Sequence, residues 1–152
     1  MPNLPTLVPK DPDYAARVRA SFDRQRVMTW IGATLTHLAP GQCEITLPRK
    51  PELTQQHGYV HGGIIGTIGD TAAGYAGYTL MPHDASVLTV EYKMNIMAPG
   101  DGERLIARGE VIRACRSVVV ARADVFAVKA GRETLCATLL QTLMTMHGKA
   151  DH

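Results

Sequence analysis

The sequence predicts an α+β fold in which one long apolar helix lies against a curved antiparallel sheet. Three observations carry this. Residues 62–80 hold an unbroken helical pattern with almost no charge. Four long strand-like runs follow, at 86–97, 103–113, 117–129 and 133–146, separated by Pro99-Gly100, Ala114-Cys115 and Ala130-Gly131. A shorter helix and two shorter strands come before it. A mostly apolar helix needs a sheet to wrap it, and tightly joined strands pair antiparallel.

The 152 residues suit one domain, which at this size buries roughly 70% of its unfolded surface without disulfides or metal. Hydrophobic content is 45% and charged content 20%, the balance of a soluble protein. A net charge of +2 with two Phe and one Trp gives no argument for nucleic acid. No apolar run reaches the roughly 18 residues of a membrane span, and MPNLPTLVPK lacks the pattern of a secretory signal. A cytoplasmic protein is the expectation. Cys43, Cys115 and Cys136 are scattered with no CxxC pair, so each is expected as a small buried hydrophobe.

Residues 1–10 carry three prolines and read as an extended arm, followed by a single domain over 11–146 and a polar tail over 147–152. Asp11-Pro12 reads as N-cap and first residue of a helix in which Tyr14, Val18 and Phe22 share a face, running to about Met28. Arg17, Arg19, Arg24 and Arg26 make its other face basic. Ala33 to Leu38 and Gln42 to Leu47 are strands joined at Ala39-Pro40-Gly41. Pro48 and Pro51 open a loop into the long helix, which Met81-Pro82-His83-Asp84 ends. The four late strands are expected as one antiparallel meander.

Placed on a wheel at about 100° per residue, residues 63–78 separate into two faces. Ile64, Ile68, Thr71 and Tyr75, flanked by Ile65 and Ala72, are expected against the sheet. The opposite stripe is Gly63, Gly66, Asp70, Ala73, Gly74 and Gly77, where everything is tiny except one carboxylate. Glycine within a helix costs about 0.5–1 kcal/mol relative to alanine. Several on one face predict a close neighbour there, a second copy of the helix or a slender ligand. A solvated face would carry Lys, Glu and Arg, and this one carries none.

The helix opens on His61-Gly62-Gly63. Free N–H groups and the positive end of the dipole suit an oxygen carrying negative charge, and in ester or thioester hydrolysis they would stabilise the oxyanion. The glycine pair serves equally well to turn the chain. Other chemistries fall away. His57 and His61 are separated by Gly58 with no Glu between them, a poor metal pair. None of Ser21, Ser86 and Ser117 lies in GxSxG. Gly63, Gly66 and Gly69 match neither a dinucleotide fingerprint nor a Walker loop.

HGGIIGTIGDTAAGYA, with Asp70 nine residues after His61, resembles the PaaI-type hotdog thioesterases, as does LTVEYKMNIMAPG at 88–100. Phe22 to Pro48 is similar to the entry segment of related bacterial acyl-CoA thioesterases, so the resemblance covers about residues 20–146. It implies a hotdog fold, a homodimer or homotetramer with active sites at the dimer interface, and hydrolysis of acyl-CoA to a carboxylic acid and CoA. No metal or redox cofactor is implied, coenzyme A being part of the substrate. Asp70 would be the general base or nucleophile, and the Gly62 N–H would polarise the thioester carbonyl, with His61 shaping the turn and Gly63 binding substrate. Gln55 stands where many members have Asn. Thr89 falls where relatives place a Ser or Thr hydroxyl, facing the aspartate of the other subunit. Arg113, Arg116 and Ser117 lie at a turn where relatives hold the CoA phosphates. A non-catalytic acyl-CoA-binding or sensing module is the alternative. A hydratase or dehydratase of the same fold would need a differently placed His and carboxylate. The entry segment leans toward aliphatic acyl chains.

Overall fold

A computed structural model describes residues 6–151; residues 1–5 of the expected arm and His152 of the tail lie outside it. Helices α1 (Tyr14–Arg24) and α2 (Arg26–Ile31) precede β1 (Thr34–Ala39) and β2 (Gln42–Pro48). A short turn at Pro51–Leu53 leads into α3 (Gly62–Tyr78), followed by β3 (Ser86–Ile96), β4 (Arg104–Ala114), β5 (Val118–Lys129) and β6 (Arg132–Met146). The strands form one antiparallel sheet in the order β1-β2-β4-β5-β6-β3. This sheet wraps α3, which touches β2 through β6. No helix among the described residues is long and apolar enough to cross a membrane.

Alternation along the strands decides which side faces the helix. On β5, Val119, Ala121, Ala123, Val125 and Ala127 are buried, while Val118 and Arg122 look outward. On β4 the inward set is Leu105, Ala107, Gly109 and Val111. Beneath the helix these side chains are small, so the backbones come close. A Cβ on Gly109 would lie 2.3 Å from the Ala72 carbonyl, and one on Gly77 2.4 Å from Leu143 Cδ1.

That approach corrects the wheel assignment. Gly66, Gly69 and Gly77 face Tyr92, Leu139 and Leu143 of the same chain, not a second helix. Tyr75 on the other stripe packs edge-to-face on Phe22 of α1, ring centroids 6.1 Å apart, and Thr71 bonds to Gln25. Periodicity separates two faces but does not say what covers each. Here the sheet needs the small one.

The expected meander holds only for β4-β5-β6. Strand β3 pairs with β6 at the edge, because β2 and β5 already occupy both sides of β4. The first helix also differs. Asp13 rather than Asp11 precedes it, the Asp11 carboxylate accepting the Asp13 N–H at 2.9 Å and pairing with Arg17 at 3.1 Å. The helix then breaks at Gln25, with φ −78° and ψ 94°, and resumes to Ile31. Arg17 donates to the carbonyls of Tyr78, Met81 and Pro82, capping the end of α3. Cys43 and Cys136 are buried, and burial pushes their thiols up to about 12 and about 11, whereas Cys115 is exposed, against expectation. Its place at the mouth of the β4–β5 hairpin leaves it nothing to pack under.

Two stability predictions follow from this packing. Gly109→Ala forces a methyl into the Ala72 backbone, which cannot rotate away, and should cost more than about 2 kcal/mol in urea denaturation. At the β5–β6 hairpin, Lys129 pairs with Arg132, leaving Ala130 (φ 50°) and Gly131 (φ 74°) as a two-residue turn. Asn tolerates this left-handed conformation better than Ala. Ala130→Asn should therefore raise Tm by roughly 2–4 °C by calorimetry, the shift that about 1 kcal/mol gives a domain of this size.

Candidate active site

Asp70 sits in the middle of α3 on the face that meets β3 and β6. Thr89 Oγ1 donates to its Oδ1 at 2.7 Å, and Gln141 Nε2 donates to the same oxygen at 2.6 Å. Gln141 Nε2 also reaches Thr89 Oγ1 at 3.0 Å, so carboxylate, hydroxyl and amide form a closed triangle. Among the described residues, no hydrogen bond reaches Asp70 Oδ2. The carboxylate is thereby fixed in orientation with one oxygen left open. It lines a pocket of about 620 Å³ together with Gln25, Thr71, Tyr75, Leu88 and Thr89.

The strands aim these donors by local irregularity. Thr89 pairs with Leu143 and Glu91 with Thr142, so Val90 is an extra residue in the β3 ladder. Such a bulge re-aims neighbouring side chains, and Thr89 turns inward to the Asp70 of its own chain. The expectation that Thr89 faces the aspartate of another subunit is corrected to that extent. Gln141 is fully buried between Leu139 and Leu143, both inward residues of β6. Sequence reasoning passed over it, although a Gln at an inward position of an apolar strand was a legible signal.

The helix entry is built differently. His61 is the N-cap of α3, and its Nδ1 accepts the Gly63 N–H at 2.8 Å. Its carbonyl accepts the N–H groups of Ile64 and Ile65. Gly63 therefore has no free amide for a ligand, whereas among the described residues no hydrogen bond is made by the Gly62 N–H. Gln55 and Gly62 line a second pocket, of about 370 Å³, with Val60 and Ile96. The Gln55 side chain accepts the His57 N–H, and a Cβ on Gly62 would lie 3.0 Å from Ile96 Cδ1.

Arg113, Arg116 and Ser117 are exposed at the β4–β5 turn. The two arginines line a third pocket, of about 740 Å³, with Lys10, Leu80 and Met81 near the end of α3. The residues singled out from sequence thus fall into three groups along the helix. Gln55, His61, Gly62 and Gly63 lie at its start, Asp70 and Thr89 at its middle, and the basic turn at its end. Eight residues separate Gly62 from Asp70, about 12 Å of helical rise.

The comparisons with known proteins agree with this architecture. The model of the thioesterase superfamily matches residues 57–134, from the α3 entry into the start of β6. A thioesterase family protein of Silicibacter pomeroyi superposes with TM-score 0.88 and 46% identity, over 89% of this chain and 99% of that one. The E. coli PaaI protein from the phenylacetic acid degradation operon superposes with TM-score 0.80 and 16% identity, over 91% of this chain and 97% of that one, a likeness of fold. A candidate esterase of Halobacterium salinarum is 30% identical over 118 residues, 74% of this chain and 78% of that protein. The chain belongs to the thioesterase superfamily and carries the hotdog fold of its PaaI-type members.

Proposed function

We propose that the protein is an acyl-CoA thioesterase that releases a carboxylic acid and free CoA. The observation that carries this is Asp70, which lines the pocket and whose Oδ1 is held by Thr89 and Gln141 while no hydrogen bond among the described residues reaches Oδ2. A carboxylate fixed by one oxygen can work with the other. Oδ2 either takes a proton from water as that water attacks the thioester carbonyl, or attacks the carbonyl itself. The developing oxyanion needs a donor, and the open Gly62 N–H at the positive end of α3 is the one the fold provides. The thiolate leaves readily, so one carboxylate and one oxyanion donor form a sufficient set. The Arg113–Ser117 turn supplies the positive charge that CoA phosphates call for.

One helix cannot place both groups on one carbonyl, because about 12 Å of rise separates them while reacting atoms must come within about 3–3.5 Å. A second copy resolves this. Strand β3 is a sheet edge, and Leu88, Val90, Tyr92, Ile96 and Met97 along it are exposed. Open apolar edges of this length are normally covered. Antiparallel pairing of two β3 edges would cover them and bring Gly62 of one copy toward Asp70 of the other, giving two sites per homodimer.

Asp70→Asn keeps an oxygen for both donors and removes the base. It should lower kcat by about 10²–10⁴ in a free-thiol release assay, and near wild-type turnover would defeat the mechanism. A single turnover in isotopically labelled water separates the two routes, label in the enzyme carboxylate marking direct attack. Gln141→Leu fills the same space without the donor. It should lower kcat by about 10- to 100-fold with KM little changed, because it loosens the aim of Asp70 rather than the hold on substrate.

A further inference from the structure

We propose that residues 148–151 form a movable strap across the Asp70 pocket, latched by Asp151, and that the strap sets the length of acyl chain the site accepts. This rests on the thioesterase reading and adds to it a device that governs chain length. The polar tail after β6 contributes Lys149, Ala150 and Asp151 to the lining of the pocket of about 620 Å³, alongside Asp70 and Tyr75 of α3 and Leu88 of β3. Part of the wall around the carboxylate is therefore chain that belongs to no helix or strand.

The strap has a root, a hinge and a latch. Strand β6 ends at Met146, and His147 Nε2 donates to the Arg116 carbonyl at 2.9 Å, which ties the root to the β4–β5 turn. Gly148 follows with φ 66°, and a Cβ built on it would meet nothing within 4 Å. No neighbour crowds this glycine, so the left-handed backbone alone calls for it. The latch is at α1. The Asp151 carboxylate accepts from Ser21 Oγ and lies 3.4 Å from Arg24, whose guanidinium also donates to the Asp151 carbonyl at 3.1 Å. Ser21 is buried, 3.1 Å from Tyr75 Oη. Tyr75 stands five residues beyond Asp70, about 7.5 Å of helical rise, so the strap closes the pocket at a distance from the carboxylate.

Little else holds the strap down. Lys149, Ala150 and Asp151 are all exposed, and none carries a large apolar side chain. An exposed ion pair adds little stability, and segments with few buried apolar contacts open at low free energy. The walls made by α3 and β3 cannot move in this way without breaking the sheet. An acyl chain running from Asp70 past Tyr75 reaches the strap. A short chain fits beneath it with the latch closed. A longer one has to displace Asp151 from Ser21, or else press methylene groups against Lys149, Asp151 and Arg24, and removing water from charged groups is costly.

Turnover of straight-chain acyl-CoAs from C4 to C16 tests this in the wild type, Ser21→Ala, Asp151→Asn and a chain ending at His147. Wild-type kcat/KM should stop rising beyond one chain length. In the three variants it should continue to rise past that length by about fourfold per methylene, the gain from burying each one, with short-chain kinetics little changed. A merely destabilised protein would lose short and long substrates alike. A wild-type kcat/KM that rises unbroken to C16 overturns the proposal, as does an unchanged profile in the chain ending at His147. So does a shift in that chain which neither Ser21→Ala nor Asp151→Asn shares. Calorimetric titration of the free fatty acids reads the same profile without turnover, and equal Kd profiles for wild type and the shortened chain also overturn it. Absence of thiol release by wild type from every substrate, alongside tighter binding of long acids by the shortened chain, would instead overturn the thioesterase reading alone.

Discussion

The closeness of α3 to its sheet is the constraint from which the rest of the structure follows. The Ala72 carbonyl approaches Gly109 so nearly that even a methyl group has no room. A helix lying that close can present only small side chains to the strands, which is why its inner face reads Gly66, Gly69, Ala73 and Gly77. Each of those glycines gives up helix propensity of about 1 kcal/mol relative to alanine. Burial of Ile65, Ile68 and Tyr78 offsets it, at roughly 1.5–3 kcal/mol for each large apolar side chain. On such a face a carboxylate is an anomaly. It persists because β3 and β6 put two donors, Thr89 and Gln141, against one of its oxygens.

Two irregularities serve the same pocket. An extra residue, Val90, interrupts the β3 ladder next to Thr89, and Gln25 interrupts a helix that local preference would have continued. Both place polar side chains around Asp70 at positions that regular elements would have aimed elsewhere. Bulges beside functional sites act in this way, and the helix break is its counterpart on the other wall.

The elements and Asp70 itself were legible because they depend on short-range pattern. The helix over 62–78 and all six strands follow from periodicity and from turn residues such as Ala130-Gly131. What covers the glycine stripe was not legible, because a wheel has no information about strand order or sheet curvature. The edge position of β3 was hidden for a related reason: it depends on β2 occupying β4 from far back in the chain. Gln141 lay in plain view at an inward position, but its meaning depends on Asp70 being its neighbour, 71 residues away in sequence. The link to thioester chemistry rests on the HGG-to-Asp resemblance, which the superfamily match bears out.

Strand β3 ties the proposed chemistry to the proposed assembly. Its inward residue Thr89 orients the carboxylate, while its outward residues, Val90 among them, form an open edge that favours a second copy. The bulge at Val90 does both, turning Thr89 in and leaving its own backbone out of the β6 ladder. The open Gly62 amide lies about 12 Å of rise from the carboxylate on the same helix. The proposed catalytic set, divided in this way, has a physical advantage. Each chain can fold with Asp70 fully oriented and with Gly62 at a helix terminus, where an oxyanion donor is strongest. Neither demand compromises the other, because in the proposed dimer the two need to meet only when edges pair.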